Sequence, residues 1–117
     1  MSSLNKVLLI GHLGAKPEMR KTNSGDSIAR LRVATNRYWK QDDRDHKETE
    51  WHDVTAFGKL AETCEAWLDK GRQVFVEGRV KSSTWEDQHG TKRLSREVVA
   101  QRINFLDSRA DGGDLAA

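Results

Sequence analysis

The sequence contains one cysteine, one proline and no long apolar run among its 117 residues. The lone Cys64 excludes an internal disulfide and gives no support to secretion. Its acidic neighbours, Glu62 and Glu65, disfavour the thiolate that a nucleophilic cysteine needs. The chain starts without the apolar stretch of a signal peptide, and no segment is long enough to span a bilayer. These absences predict a soluble protein of a reducing compartment, the cytoplasm, with no membrane partner.

Arrangements that support catalysis or metal binding are also missing. Gly58-Lys59 resembles the end of a phosphate-binding loop, but Asp53 and Leu60 stand where that loop needs Gly and Ser or Thr. The four histidines lack partners at metal-ligand spacing; they are His12, His46, His52 and His89. We therefore expect no catalytic residue, no cofactor and no metal. His52 lies on the apolar side of its predicted strand, which favours a hydrogen-bonded structural role.

The net charge of +2 is small but unevenly distributed. Residues 107–117 contain one basic and three acidic side chains, which leaves 19 basic and 15 acidic side chains in residues 1–106. Residues 40–50 contain three basic and five acidic side chains, so the rest of the body has a net charge of +6. A basic body with acidic appendages is a weak indication of a polyanionic partner.

Alternating hydrophobicity predicts five strands, over residues 4–13, 27–38, 48–57, 72–85 and 91–105, the last with an irregularity near 100–102. Leu60, Cys64, Trp67 and Leu68 recur at helical spacing, which predicts a helix over 60–70 that ends at Gly71. Turn residues predict loops over 14–26, 40–47 and 86–90.

The order of these elements predicts the fold. Three strands, one helix and two strands are typical of the OB-fold, an all-β, five-stranded Greek-key barrel with one α-helix between the third and fourth predicted strands. Residues 1–106 are predicted to form this domain, and residues 107–117 a short disordered tail with little apolar content.

The first predicted strand is apolar on both faces. Val7 and Leu9 lie on one face, and Leu8 and Ile10 on the other. A strand at the surface of a small antiparallel barrel is normally polar on one side. The pattern fits a strand that contacts another subunit and fits equally a strand buried twice within its own chain.

Large aromatic residues occur on strand faces that are otherwise polar. Trp51 and Phe57 are six residues apart on one face of the third strand, and Trp85 shares a face of the fourth strand with Arg79 and Lys81. Exposed aromatic rings beside cations are typical of surfaces that stack the bases of single-stranded nucleic acid, in a manner tolerant of sequence. The alternative, ordinary packing, is less consistent with the polar neighbours of these three residues.

Two further tryptophans are ambiguous. Strict alternation puts Trp39 on the core side of the second strand, although a twist or a bulge beyond Asn36 could turn it outward. Trp67 lies on the apolar stripe of the predicted helix, which favours packing. Candidate phosphate contacts are Lys6, Arg20, Lys59, Lys70, Arg79 and Lys81, whose combined effect is binding that weakens as salt rises.

From about Asn5 to Val99 the chain resembles the bacterial single-stranded DNA-binding protein family, which has an OB-fold. The resemblance rests on an ordered series of motifs: Asn5-Lys6-Val7, Gly11-His12-Leu13-Gly14, Pro17-Glu18, Thr49-Glu50-Trp51-His52, Phe57-Gly58-Lys59-Leu60-Ala61-Glu62, Lys70-Gly71, Val76-Glu77-Gly78 and Trp85-Glu86-Asp87. A series of this length and order is highly specific.

The resemblance implies a bacterial, nucleoid-associated protein that binds single-stranded DNA as a homotetramer in replication, recombination and repair. It implies base stacking for Trp39, Trp51, Phe57 and Trp85, and DNA contact for Trp67. It also associates His52 with subunit assembly and the first strand, through Val7 and Leu9, with the subunit contact.

The chain departs from the family pattern at three places. Asp53 stands where a basic residue is common, and Ser83-Thr84 precede Trp85 where cations are common. Both departures predict somewhat weaker phosphate binding. The last residues, 111–117, lack the acidic, Phe-terminated tip through which family members recruit replication and repair enzymes, so the sequence gives little reason to expect such recruitment.

Overall fold

The computed structural model describes residues 2–106 and 114–116. Seven strands and one helix occupy most of these residues. They are β1 (Val7–Leu13), β2 (Glu18–Lys21), β3 (Ser27–Gln41), β4 (Arg44–Phe57), α1 (Gly58–Trp67), β5 (Gln73–Glu86), β6 (Lys92–Phe105) and β7 (Asp114–Ala116). In the described part of the chain, α1 is too short and too polar to cross a membrane.

Five strands close into a barrel in the order β1–β5–β6–β4–β3, and β3 pairs back with β1. All neighbours are antiparallel except β4 and β6, which pair in parallel at Val54–Val98 and Thr55–Val99. The helix α1 lies between β4 and β5, the third and fourth of the predicted strands. The structure therefore confirms the predicted OB-fold.

The core is formed by the inward faces of the barrel strands and by one side of α1. Among its most deeply buried side chains are Leu31, Val54, Leu60, Val74 and Ile103. The strands contribute alternate residues because successive side chains point to opposite faces of a sheet. The helix contributes residues at helical spacing, including Cys64.

The β5–β6 pairing contains the irregularity predicted near residues 100–102. Glu77 pairs with Arg102 and Gly78 with Ala100, so Gln101 is an extra residue in β6. Such a bulge bends a strand and increases its local twist. A few residues further, at Lys81 and Glu97, β5 and β6 leave the barrel together.

Two strand pairs extend past the barrel. Residues 35–50 of β3 and β4, named here the β3–β4 arm, pair only with each other within the described chain. Residues 81–97 of β5 and β6, the β5–β6 arm, do the same. Asn5 secures the base of the second arm, because its side-chain amide donates to the Val80 carbonyl at 2.8 Å and accepts from the Val80 N–H at 2.9 Å.

Three expectations from the sequence, all within residues 14–71, need correction. Residues 18–21 form the short strand β2 inside a predicted loop. The predicted hairpin loop over 40–47 is instead a tight turn at Asp42 and Asp43, with strand on both sides. The helix covers Gly58–Trp67 and ends with an extended Leu68, so Gly71 is not its cap.

In the predicted disordered tail, residues 107–113 and 117 lie outside the described residues, whereas Asp114–Ala116 pair with β6.

Candidate nucleic-acid interface

One outward surface of the sheet brings together aromatic residues from β4 and β5. Thr55 of β4 donates a hydrogen bond of 2.6 Å to Glu97 of β6, and Glu97 pairs directly with Lys81 of β5. The side chains at alternate positions of the three strands therefore lie on one surface, named here the outer face. It carries Trp51 and Phe57 from β4, and Trp85 from β5.

All three aromatic side chains on the outer face are partly exposed. Trp51 is 48% exposed, Phe57 43% and Trp85 53%. An indole in a protein of this size normally lies largely buried, because its burial is strongly favourable. Rings that remain half exposed on a rigid sheet are able to stack against flat ligands without the sheet having to rearrange.

Trp51 is held in place on one side by its own chain. The guanidinium of Arg32 lies 4.9 Å from the centre of its ring, a distance at which cation–π attraction operates. A methyl group added at Gly14 would lie 2.4 Å from a ring atom, so Gly14 leaves the space that the indole occupies. Arg32 also forms an exposed ion pair with Asp53, at 3.6 Å. These contacts fix the orientation of the ring while leaving about half of it exposed.

Trp85 has a cation directly opposite it in the β5–β6 pairing, namely Arg93. Asp87 holds that cation through a 3.0 Å bond to Arg93 Nε. The same carboxylate accepts backbone N–H groups of His89 and Thr91, each at 2.9 Å, and so orders the turn between β5 and β6. The Thr91 N–H, followed by the Arg93 guanidinium, holds the pKa of Asp87 below its usual value.

Trp39 lies on the other side of the β3–β4 arm. It pairs with His46, in the same alternation as the inward pair Val33 and His52. The rings of Trp39 and His46 are stacked, with centroids 5.3 Å apart and planes inclined by 14°. The Arg37 guanidinium lies 4.8 Å from the Trp39 ring centre. The structure therefore places Trp39 on the side given by strict alternation, which is not the outer face. The ring is half-buried beside Arg37 and His46.

Trp67 differs from the packed residue suggested by its helical spacing. It is 49% exposed at the end of α1, whereas Leu60, Ala61 and Cys64 supply the buried side of the helix. It lies on the helix and not on the sheet that carries the other aromatic residues. Its role in DNA contact stays a prediction.

The predicted phosphate contacts fall into different environments. Arg79 and Lys81 lie on the same outer face of β5 as Trp85, six and four residues before it, and neither is ion-paired with another described residue. Lys6 pairs with Glu77 at 3.2 Å and Arg20 with Glu18 at 2.9 Å. The remaining two, Lys59 and Lys70, are exposed outside the sheet, on α1 and after it.

Sequence reasoning did not identify Arg32 and Arg93 as members of this surface. The signal for Arg32 was present, because it alternates with the buried residues Leu31 and Val33 and so had to face outward. Its contact with Trp51 depends on the register of β3 and β4, in which Ala34 pairs with Trp51. That register could not be read from a single strand.

The residues predicted for a subunit interface lie mainly on the inward side of their strands. Leu9 belongs to the core and Val7 packs against it. His52 bonds to Thr35, with Nε2 and Oγ1 2.9 Å apart, as expected for a structural histidine. The apolar side chains that β1 exposes are instead Leu8 and Ile10, 59% and 57% exposed. This strand is thus buried on only one face within the chain, and the interface assignments stay predictions.

The described residues include no group of three or more His, Cys, Asp or Glu side chains arranged to hold a metal ion. Cys64 is fully buried. Burial, and not the neighbouring glutamates, raises the pKa of its thiol to about 12.

We expect the Cys64 thiol to react with DTNB in mildly alkaline buffer only as fast as the protein opens, and at once in denaturant. Because the folded-state pKa is raised, the neutral thiol contributes stability that is complete below its ordinary pKa and is lost as pH rises toward the folded value. The absorbance of released thionitrobenzoate measures the rate. Equal labelling rates in native and denaturing buffer would contradict the buried position.

A five-stranded OB barrel with aromatic and cationic side chains on one face defines a protein of the oligonucleotide-binding fold class. A sequence profile of the single-strand binding protein family matches residues 4–106. The chain therefore belongs to this family.

Curated relatives and solved structures agree with this placement. Single-stranded DNA-binding protein 1 of Chlorobaculum tepidum is 44% identical over 94% of this chain and 69% of its own length. The protein of the same name from Xylella fastidiosa is 43% identical over 98% of this chain and 86% of its own length. A structure of Plasmodium falciparum SSB in complex with ssDNA has a TM-score of 0.84 at 28% identity, over 92% of this chain and 98% of that one. A deletion mutant of the single-stranded DNA binding protein from Thermus aquaticus has a TM-score of 0.78 at 34% identity, over 93% of this chain and 53% of that one.

Proposed function

We propose that the chain binds and protects single-stranded DNA, without catalysis and largely without regard to sequence, in DNA replication, recombination and repair. The observation that carries this proposal is the outer face, where the half-exposed rings of Trp51, Phe57 and Trp85 share one surface with Arg79 and Lys81. Membership of the family and the names of the relatives support the same ligand.

The binding energy in this proposal comes from two kinds of contact. Each base that stacks on an aromatic ring contributes roughly 1–3 kcal/mol. Cations such as Arg79 and Lys81 neutralise phosphates and release counterions, which makes the affinity fall as salt rises. Neither contact reads the hydrogen-bonding edges of the bases, so the mode tolerates any sequence. In a duplex the same ring faces are stacked on neighbouring base pairs and unavailable, which accounts for selectivity toward single strands.

We further propose that the protein works as a homotetramer in the cytoplasm. The exposed Leu8 and Ile10 on β1 support a subunit contact, because neighbouring large apolar side chains left in water favour association. In this arrangement Val7 and Leu9 stabilise the strand from the core side, and His52 acts through its bond to Thr35.

A titration of the intrinsic tryptophan fluorescence tests the proposed ligand. Oligo-dT is expected to quench the emission strongly, because bases stack directly on exposed indoles, whereas a duplex of equal length leaves it nearly unchanged. Light scattering on the same samples gives the number of subunits in the complex. Strong quenching by both ligands, or by neither, would refute the proposal.

A further inference from the structure

The outer face continues onto the β3–β4 arm, where it carries an aromatic residue that no motif identified. Tyr38 is 67% exposed, more than any of the four tryptophans. It precedes Trp39 and therefore lies on the opposite side of the arm from the Trp39–His46 stack. Its own side of the arm is the side of Trp51.

The strand register fixes this relation. Ala34 pairs with Trp51, and Tyr38, four residues further along the same strand, pairs with Lys47. Directly paired residues share a face, and residues two or four apart on one strand share it as well. The row with Tyr38 therefore lies roughly 14 Å beyond the row with Trp51, in the direction of the turn.

The row between the two aromatic residues is polar and ordered. Thr49 Oγ1 donates to Asn36 Oδ1 at 2.7 Å. This bond occupies the amide oxygen of Asn36 and leaves its NH₂ group directed elsewhere, as a donor for a base edge or a phosphate. The rings of Trp51 and Tyr38 are thus two flat surfaces, separated by a row that can form hydrogen bonds through Asn36.

Cations accompany Tyr38 as they accompany the rings on the barrel. Lys47 lies directly opposite it, and Lys40 lies two residues further along the same face, opposite Asp45. All three of Tyr38, Lys40 and Lys47 are exposed, and neither lysine is ion-paired with another described residue. A surface depression is lined by Tyr38, Asp45 and Lys47 from this side of the arm and by Trp39 and His46 from the other, so the Tyr38 ring borders a concave surface that reaches around the arm.

We propose that Tyr38 is a further base-stacking platform, with Lys47 contacting an adjacent phosphate, so that the DNA track on the outer face extends from Trp51 along the β3–β4 arm. The inference rests on the proposed function and adds a subsite to it. A phenol ring suits the position, because the aromatic face stacks on a base while the hydroxyl stays in water.

Fluorescence anisotropy of labelled oligo-dT, at one fixed salt concentration, tests the subsite. Tyr38→Ala is expected to weaken binding at least about fivefold, the lower limit for the loss of one stacked base. Tyr38→Phe retains the ring and is expected to bind within about twofold of the original protein. Gln41→Ala, an exposed change on the other side of the arm, serves as the matched control for effects on arm structure.

A photocrosslink gives a direct readout that an indirect structural effect would not produce. Oligonucleotides containing 5-iodouracil are expected to crosslink to Tyr38, and peptide mass spectrometry identifies the attachment. If Tyr38→Ala binds as tightly as the original protein, or if Tyr38→Phe loses as much as Tyr38→Ala, the stacking role is overturned. In that case a loss of affinity in Trp85→Ala would leave the proposed function intact. Failure of the unmodified protein to bind oligo-dT at all would overturn both proposals.

Discussion

Replacing Trp51 and Trp85 together by alanine is expected to weaken the binding of oligo-dT by about two to three orders of magnitude. Each ring contributes roughly 1–3 kcal/mol as a stacking platform, and each 1.4 kcal/mol is tenfold in affinity. Trp51 and Trp85 lie on strands separated by β6 and have different neighbours. Trp51 lies against Arg32 and Gly14, whereas Trp85 lies opposite Arg93. Effects at sites without shared contacts usually add.

The measurement is the anisotropy of fluorescein-labelled oligo-dT, since the double variant lacks two of the indoles that report binding. Leu94→Ala is the matched control, because Leu94 is a large apolar side chain on the β5–β6 arm with 58% exposure. It lies next to Arg93 and so on the opposite side of the arm from Trp85. A double variant that keeps its melting temperature and still binds within about threefold of the original protein would mean that these rings are not stacking platforms.

The sequence was sufficient to predict the barrel because hydrophobic periodicity survives in every core strand. Leu31 and Val33 of β3 alternate with arginines, and Val74 and Val76 of β5 recur at every second position although the intervening Phe75 is also apolar. The period changes around Leu60 and Cys64, where α1 forms. The limits of α1 were less well predicted. Gly58 has a φ of 63°, which allows β4 to pass directly into the helix two residues before the first apolar position.

The β3–β4 arm shows where periodicity fails as a signal. Residues 40–47 are polar on both faces, so no alternation marked them as strand. They pair nonetheless, because Asp42 and Asp43 both adopt positive φ, 54° and 59°, as a two-residue hairpin turn requires. Asp tolerates this conformation better than most residues, and the tight turn brings Gln41 against Arg44. The geometry of this two-residue turn therefore favours strand pairing over residues 40–47, although these residues have no hydrophobic pattern.

The candidate site was predicted as far as single strands allow. Alternation alone placed Trp51, Phe57 and Trp85 outward, and the structure gives all three substantial exposure. The partners that orient these rings, Arg32 and Arg93, come from neighbouring strands. Cross-strand contacts depend on register, which in this chain is set by two turns and a bulge that the composition only partly indicates. The sequence could therefore identify the exposed aromatic rings but not the residues of neighbouring strands that orient them.

The bulge between β5 and β6 is the basis of the second large effect, a severe loss of stability on replacing Gly78 by alanine. A Cβ at this position would lie 2.2 Å from the Val99 carbonyl oxygen and 2.9 Å from its carbon. These are backbone atoms of a paired strand, so no side-chain rotation relieves the overlap. The β5–β6 ladder has to shift, at a cost of about 3 kcal/mol or more, since overpacking of this kind typically costs 1–3 kcal/mol when side chains can adjust.

Thermal unfolding followed by circular dichroism measures this loss, which we expect to lower the melting temperature by about 10 °C or more in a domain of this size. Gly25→Ala is the informative comparison, because Gly25 has a φ of 90° and open space around its missing Cβ. That variant carries only the conformational cost of a left-handed residue, about 1 kcal/mol. The difference between the two losses of stability measures the steric cost of the added Cβ at position 78. A Gly78→Ala variant that melts within about 2 °C of the original protein would show that the β5–β6 ladder can shift at little cost. Because the β5–β6 arm with Trp85 begins just beyond Gly78, the surviving folded fraction is also expected to bind oligo-dT less tightly than Gly25→Ala does.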